Sequence, residues 1–155
     1  QGMIGRIAEM HGTYYYENYN FGPFFEGKVA TNLAEFSNRL YIDSNNIWLA
    51  IKNNKIVGSV AIDGEDLGNS EAHLRWFILS DDCRGQGIGK KLLKEAINFC
   101  DQKQFSAVQL WTFSGLSAAR KLYETFGFKL TNEWEGDQWG NTMLEQQFTR
   151  INNGN

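Results

Sequence analysis

Three glycines within six residues, from Arg84 to Gly89, give this chain its clearest signal for chemistry. The segment reads Arg-Gly-Gln-Gly-Ile-Gly; an apolar, β-prone stretch at 73–79 precedes it, and an amphipathic helical pattern follows it. Glycines let the backbone turn tightly and leave its amides uncovered. Because a helix start carries partial positive charge, amides aimed outward there form a site for an anion such as phosphate. The segment therefore predicts a site for a phosphorylated ligand.

The spacing of these glycines excludes two common phosphate sites. A Walker loop requires a glycine at the position of Arg84 and Ser or Thr after its lysine, whereas Lys91 follows Lys90. A dinucleotide fingerprint requires its last glycine at the position of Lys90. A glycine-rich turn between strand and helix that binds no ligand remains the alternative.

The composition indicates one folded domain, which we place at residues 3–150. Of the 155 residues, 42% are hydrophobic and 14% aromatic, which is enough for an ordinary core. Gln1 and Gly2 precede Met3 and resemble the remnant of an expression tag. The net charge of -3 predicts no broad basic surface, so nucleic acid is not an expected partner. No apolar run approaches the roughly 20 residues that span a bilayer, and no signal peptide is visible, so we expect no membrane partner.

The two cysteines do not have the spacing of a metal or redox site. We therefore expect no metal, and a reduced, cytoplasmic protein is the simplest interpretation. Cys100 falls on the apolar face of its helix and is expected to be buried. Cys83, near a helix start, is a candidate thiolate nucleophile, for which only His11 and His73 are available as imidazole bases.

Hydrophobic periodicity predicts an α/β fold in which a mixed, mainly antiparallel sheet carries helices on both faces. The order of elements includes at least one β-α-β crossover. The predicted elements are a helix at 4–18, a second helix from Phe25 to Leu40, strands at 47–51 and 56–62 joined at Asn53–Asn54, a strand at 73–79, a helix to about 103, a strand at 107–113, a helix at 117–126, and a final hairpin of 128–134 and 142–148.

Two motifs lie in this framework in a specific order. Arg84, Gly87 and Gly89 fit R-x-x-G-x-G/A after a central strand, and a later helix fits A-x-x-x-Y-x-x-x-G-F through Ala119, Tyr123, Gly127 and Phe128. Together they resemble the GNAT superfamily of acyl-CoA-dependent N-acetyltransferases, in particular the domains found alone or fused to MarR-type regulators. The resemblance implies a three-layer GNAT-like fold with about six strands.

The resemblance also implies acetyl-CoA (coenzyme A) as cosubstrate. The pantetheine arm would lie along Phe77, Ile78 and Leu79. Backbone amides would hold the pyrophosphate and Lys90 would add charge; the residues concerned are Arg84, Gly85, Gln86, Gly87, Ile88 and Gly89. Tyr123 matches the residue that protonates the leaving thiolate in many family members. A purely structural role as a core aromatic is the alternative for Tyr123.

The resemblance places a general base at the start of the central strand, where Glu71 and His73 stand. Strand alternation puts Glu71, His73 and Arg75 on one face, so the three side chains could share a cleft. His73 is the favoured base because imidazole titrates in the useful range, with a sheet-packing histidine as the alternative. Arg75 would orient an acceptor carboxylate or pair with Glu71.

The acceptor site would lie between the first two helices and the last hairpin. We expect Tyr15, Phe24 and Trp139 to bind the acceptor together with Arg75. Glu135 and Asp137 in the hairpin add negative charge, and an aromatic, acidic lining suits a cation or amine. The expected acceptor is therefore a small-molecule amine or a protein amino group.

The sequence departs from the family pattern at three places. Leu116 stands where an asparagine is frequent, and Asp81 stands where a proline is common. The family's first strand is not apparent, which would leave a sheet edge exposed, and a homodimer is one way to cover it.

The expected function is acetyl transfer to an amine by direct attack, and the alternative is a non-catalytic acyl-CoA-binding module.

Overall fold

The computed structural model describes residues 1–152 and contains four α-helices and six strands within that range. The elements are α1 Met3–Tyr19, α2 Pro23–Ser37, β1 Asn46–Lys52, β2 Lys55–Asp63, β3 Glu71–Leu79, a short 3₁₀ turn Asp81–Cys83, α3 Ile88–Gln102, β4 Ala107–Phe113, α4 Ser117–Thr125, β5 Lys129–Gly136 and β6 Met143–Ile151. The strand order is β1-β2-β3-β4-β6-β5. Only β3 and β4 pair in parallel among these neighbours. The predicted mixed, mostly antiparallel sheet is confirmed.

Helices pack on both faces of the sheet, as predicted. One core joins α3 and α4 to the sheet through residues such as Leu74, Leu93 and Phe148. A second core joins α1 and α2 to the opposite face through Ile7, Phe25 and their neighbours. The predicted apolar stripe of α3 is buried, and Cys100 is part of it. The three-layer arrangement follows from the two apolar faces of a sheet that must both be covered.

The turn between β1 and β2 and the glycine inside α1 show how individual residues bear on these elements. Asn53 and Asn54 both adopt positive φ, 53° and 61°, which is the geometry of a tight hairpin turn that asparagine tolerates. Helix α1 continues through Gly12, beside which the Glu26 side chain of α2 lies. A Cβ at Gly12 would overlap the carboxylate of Glu26. Glycine at this position leaves room for the Glu26 carboxylate, which is the end of an exposed side chain.

The central strands separate along their length, and this separation positions the site. Strand β3 pairs with β4 only at residues 71–73. Beyond them, the pairing of β3 with β2 shifts register between Arg75 and Ile78, which is a β-bulge. Trp76 in the bulge has φ 49°, and its carbonyl accepts a hydrogen bond of 2.6 Å from Ser59. The bulge turns the rest of β3 away from β4 and opens the sheet.

Strands β1 and β5 form the two edges of this sheet within residues 1–152. The sequence predicted that the missing first strand of the family would leave a sheet edge exposed, and β1 is one of the two edge strands. None of the helices in the described part of the chain is long and apolar enough to cross a membrane.

Candidate active site

A cavity of about 850 Å³ opens where β3 and β4 separate. Its walls come from α1, α2, α4, both separated strands and the segment between β5 and β6. Residues 77–79, 84 and 85 line one part of it, and residues 28, 73, 75 and 139 line another. We call the first part the loop end and the second the helix-hairpin end.

The glycine loop before α3 has the backbone that the sequence predicted. Gly85 and Gly87 have φ 80° and 75°, a region in which a residue with a Cβ is strained. Nothing lies within 4 Å of a Cβ built at either position, so conformation rather than space requires glycine. No side chain caps the start of α3 at Gly87, which leaves the first amides of the helix available. Such a loop fits the diphosphate of coenzyme A.

Of the two basic residues that flank this loop, Arg84 lines the cavity and Lys90 does not. Arg84 lines the cavity, donates to Asp81 across 3.0 Å and lies 5.0 Å from the ring centre of Tyr14 on α1. Of the predicted loop residues, Gly85 also lines the cavity, whereas Gln86 to Lys90 do not. Lys90 is exposed on α3.

The segment predicted to hold pantetheine, Phe77 to Leu79, lines the cavity along the open side of β3. Strand β2 pairs with its other side, at Ser59 and Gly58. The described pairing with β4 ends at His73, so the backbone of this segment is free to pair with an extended ligand arm.

Tyr123 is packed in the core and also lines the cavity. Its ring is 7% exposed and packs 5.9 Å from the ring centres of Phe77 and Phe128. It also lines the cavity, and within residues 1–152 its hydroxyl makes no hydrogen bond. Burial raises its pKa, so the hydroxyl stays protonated and can donate.

His73 lines the cavity and is paired with a residue that the sequence analysis did not identify. Its Nδ1 lies 2.8 Å from Oδ2 of Asp66. A carboxylate can only accept, so neutral His73 donates from Nδ1 and Nε2 becomes the proton acceptor. The ring of Trp111 packs edge-on against the imidazole at 4.9 Å. Asp66 lies in the β2–β3 loop. In the sequence, this pairing could have been suspected because an acidic residue stands seven positions before a strand histidine.

Glu71 and Arg75 do not pair with each other. Arg75 lines the cavity, 3.7 Å from Asp63 and 3.8 Å from Asp66. Glu71 does not line it and accepts a hydrogen bond of 3.4 Å from Gln109. The expectation that Glu71 shares a cleft with the other two residues is therefore not met. Burial lowers the pKa of Arg75, which remains positively charged at neutral pH.

The predicted acceptor residues are placed in two groups. Tyr15 and Trp139 line the cavity, and both ring systems pack near Phe113. Burial raises the pKa of Tyr15, which is therefore neutral. Phe24 lies outside the cavity and is 64% exposed, with its ring against Gly140. The exposed position of Phe24 separates it from the other predicted acceptor residues.

The acidic lining that the sequence predicted is absent. Among residues 1–152, no Asp or Glu lines the cavity; its charged residues are Lys28, Arg75 and Arg84. Glu135 and Asp137 are exposed. The hairpin carboxylate that points inward is Glu145, which accepts from the Trp134 indole and from Gln138.

The two remaining candidates from the sequence do not reach reacting atoms. Cys83 is completely buried and does not line the cavity. His11 lines it, but its Nδ1 donates to the Ile7 carbonyl across 2.9 Å, and burial lowers its pKa to about 4. His11 is consequently a neutral wall residue at physiological pH.

Known proteins resemble this chain in sequence and in fold. It is 39% identical over 87 residues to the probable N-acetyltransferase camello of Xenopus laevis, covering 56% of this chain and 40% of the relative. It is 30% identical over 127 residues to the N-acetylaspartate synthetase of Danio rerio, covering 81% of this chain and 45% of the relative. The chain thus spans less than half of either relative.

The fold is similar to that of yncA, a putative acetyltransferase from Salmonella typhimurium solved with its cofactor acetyl-CoA. The TM-score is 0.75 at 14% identity, with 96% of this chain and 87% of that chain covered. Residues 5–128 match the family described as the Acetyltransferase (GNAT) family, and this match includes both motifs up to Phe128. With its six-stranded mixed sheet, its bulged and separated central strands and its glycine loop, the chain belongs to the acetyltransferase (GNAT) family.

Proposed function

We propose that this chain is an N-acetyltransferase that uses acetyl-CoA as cosubstrate and transfers the acetyl group to an amine by direct attack. The observation that carries the proposal is one continuous cavity. It joins Gly85 at the start of the glycine loop, the open edge of β3, Tyr123 and His73, whose imidazole is held by Asp66 behind it. The relatives described as N-acetyltransferases, including one that by its name forms N-acetylaspartate, support transfer to nitrogen.

The loop end is suited to the anionic part of coenzyme A. Amides from Gly85 to Gly89 and the partial charge of the α3 start favour a diphosphate, and Arg84 adds a full charge. The pantetheine arm would pair with Phe77 to Leu79, as a strand added to an open edge. This arrangement would place the thioester between the separated strands.

Two side chains would accept and donate the protons that acetyl transfer requires. The amine nitrogen attacks the thioester carbonyl, a C–N bond forms and the C–S bond breaks. His73, held by Asp66, takes the proton that the amine must lose, directly or through water. Tyr123 gives its proton to the leaving thiolate. His73 is favoured over Glu71 because only His73 lines the cavity.

Direct attack is favoured over an acyl-enzyme on Cys83. The thiol of Cys83 is fully buried outside the cavity wall, so an acetyl group could not reach it without rearrangement. A Cys83→Ala variant is expected to keep its activity.

The proposal is tested by incubating the purified chain with acetyl-CoA and a panel of amines while free thiol is measured. We expect amine-dependent thiol release, with mass spectrometry showing one acetyl group on nitrogen. Tight binding of coenzyme A without turnover on any amine would contradict the enzyme and favour a non-catalytic acyl-CoA-binding module.

A further inference from the structure

The charged side chains in the cavity wall are all basic, although the chain as a whole is acidic. Lys28, Arg75 and Arg84 are the charged lining residues among the 152 that the structure describes, whereas the net charge of the sequence is -3. Arg84 stands next to the glycine loop and belongs with the phosphates. Arg75 and Lys28 lie at the helix-hairpin end, where the acceptor would enter. Their charge there needs a separate explanation.

Arg75 has donors that no protein group uses. Asp63 and Asp66 lie 3.7 and 3.8 Å away, too far for hydrogen bonds, and Arg75 makes none within residues 1–152. Those two carboxylates are already engaged, because Asp63 binds Arg39 at 2.6 Å and Asp66 binds His73 at 2.8 Å. Neither carboxylate lines the cavity and neither occupies an N–H group of Arg75, so these groups are left for a ligand.

The donors of Arg75 are open to the cavity and held in a fixed plane. Among the described residues no fully buried side-chain nitrogen lacks a partner, so the unbonded nitrogens of Arg75 are accessible. The guanidinium lies 4.2 Å from the ring centre of Trp76, the residue with positive φ in the β3 bulge. Stacking uses the flat face of the guanidinium, so its edge remains free to bind a carboxylate with two parallel hydrogen bonds.

Lys28 provides a second positive charge at the same end. Its Nζ donates to the Gln138 carbonyl across 2.5 Å, which holds α2 against the segment between β5 and β6. An ammonium has three donors, so two remain. A cationic acceptor would meet two positive charges here and no carboxylate in the described wall, whereas an anionic acceptor would be attracted.

Arg75 lies two residues from His73 on the same face of β3, which fixes the spacing of base and cation. At about 3.3 Å per residue, the two backbone positions are roughly 7 Å apart. An acceptor whose amine and carboxylate are separated by a few bonds can therefore reach both side chains. An amino group on a protein surface has no such neighbouring carboxylate in general.

We propose that the acceptor is a small amino-acid-like molecule, whose free carboxylate is bound by the edge of Arg75 with support from Lys28 while its amine meets His73. This inference rests on the proposed function, since it concerns the acceptor end of the same cavity. It develops one of the two roles that the sequence left open for Arg75, the binding of an acceptor carboxylate, and it replaces the cationic acceptor that an acidic lining would have suited.

The test uses products, so that binding can be measured without turnover. Calorimetry on the chain saturated with coenzyme A would compare N-acetyl-L-phenylalanine and N-acetyl-L-aspartate with the corresponding carboxamides. We expect each acid to bind about tenfold or more tightly than its amide, the usual range for hydrogen bonds to a charged group. Equal affinity within each pair, or binding of none of the four compounds, would overturn the proposal.

Variants test whether Arg75 causes the tighter binding of acids than of carboxamides. Arg75→Gln should abolish the difference between acid and amide, and Arg75→Lys should restore only part of it, because lysine keeps the charge without the fork. Lys28→Gln should reduce it by a smaller factor. Lys55→Gln, at the exposed first residue of β2, is the matched control and should change nothing. Circular dichroism of each variant checks that it is folded, and a folded Arg75→Gln that still prefers acids would contradict the assignment.

Turnover separates this inference from the proposed function. If neutral and cationic amines are acetylated as well as amino acids are, the enzyme stands and the acceptor class is wrong. If acids bind preferentially through Arg75 but no amine is acetylated, the anion site stands and the proposed enzyme is wrong.

Discussion

The two ends of the cavity are built in different ways. The loop end comes from one short stretch of chain, residues 77–85, where a strand ends and a glycine loop leads into a helix. The helix-hairpin end consists of side chains from segments far apart in sequence, such as Lys28, His73 and Trp139. A site made of contiguous backbone can be recognised from residue order, whereas one assembled by tertiary packing cannot. The following predictions test this contrast, starting with the largest effect.

Removal of the Tyr123 hydroxyl tests whether this side chain protonates the leaving thiolate. Tyr123→Phe keeps the ring that packs on Phe77 and Phe128 but removes the proton donor. We expect kcat to fall about 100-fold, the lower end of general acid catalysis, with little change in the affinity for coenzyme A. Tyr41→Phe, at an 85% exposed residue, is the control. An unchanged rate would remove Tyr123 from the mechanism.

Addition of one methyl group to the glycine loop tests the backbone site. Gly87→Ala places a Cβ on a residue with φ 75°, which costs about 1–3 kcal/mol unless the loop rearranges. We expect the affinity for coenzyme A to fall by about 10- to 100-fold in calorimetry, with the fold intact. Gly5→Ala, in α1 with open space around it, should leave the affinity unchanged. The same affinity in both variants would show that the loop conformation is not needed.

The buried His11 in the cavity wall predicts a pH-dependent stability. Burial lowers the pKa of His11 from 6.5 to about 4, so the unfolded chain takes up the proton first as pH falls. The stability associated with neutral His11 is complete above pH 6.5 and is lost as pH falls toward 4. Between pH 7 and pH 5 the loss is about 2 kcal/mol, or about thirtyfold in the folding equilibrium.

Chemical denaturation at pH 7 and pH 5 would measure this contribution. The His11→Gln variant should lose less stability than the original chain over this interval, by the amount assigned to His11. Identical pH dependence in the two proteins would mean that His11 accepts a proton while folded.

The smallest expected effect concerns Asp66, which positions His73. Asp66→Asn should lower kcat about tenfold without changing the KM for acetyl-CoA, because an amide no longer fixes Nδ1 as the donor. Asp66→Glu should recover part of the rate. Asp43→Asn, at an exposed residue paired with Lys103, is the control. A loss of stability without this kinetic pattern would indicate a purely structural role.

The sequence was sufficient where local residue types decide the structure. Asn53–Asn54 specified a tight turn, the stripe on α3 specified its buried face, and the glycines before it specified a loop with positive φ. The order of elements, with two motifs in the expected places, then specified the family. The bounds of most elements differ from the prediction by one to three residues, because helix and strand ends depend on tertiary contacts.

The acceptor end required contacts that no local pattern encodes. Alternation of side chains placed Glu71 with Arg75, but Arg75 lies near Asp63 and Asp66, which come from the end of β2 and the following loop. That loop returns toward His73 through Asn69 and Ser70, both at positive φ. The sign of the cavity charge was predicted wrongly for the same reason. Glu135 and Asp137 of the hairpin face solvent, and the basic side chains that line the wall lie on α2, on β3 and at Arg84 before the first loop glycine.

A crystal structure of the chain with coenzyme A tests the central claim most directly. We predict the diphosphate within hydrogen-bond distance of the amides between Gly85 and Gly89, the pantetheine arm paired with Phe77 to Leu79, and its sulfur near the Tyr123 hydroxyl. Coenzyme A bound elsewhere, or an empty loop at saturating coenzyme A, would contradict the proposed acetyltransferase.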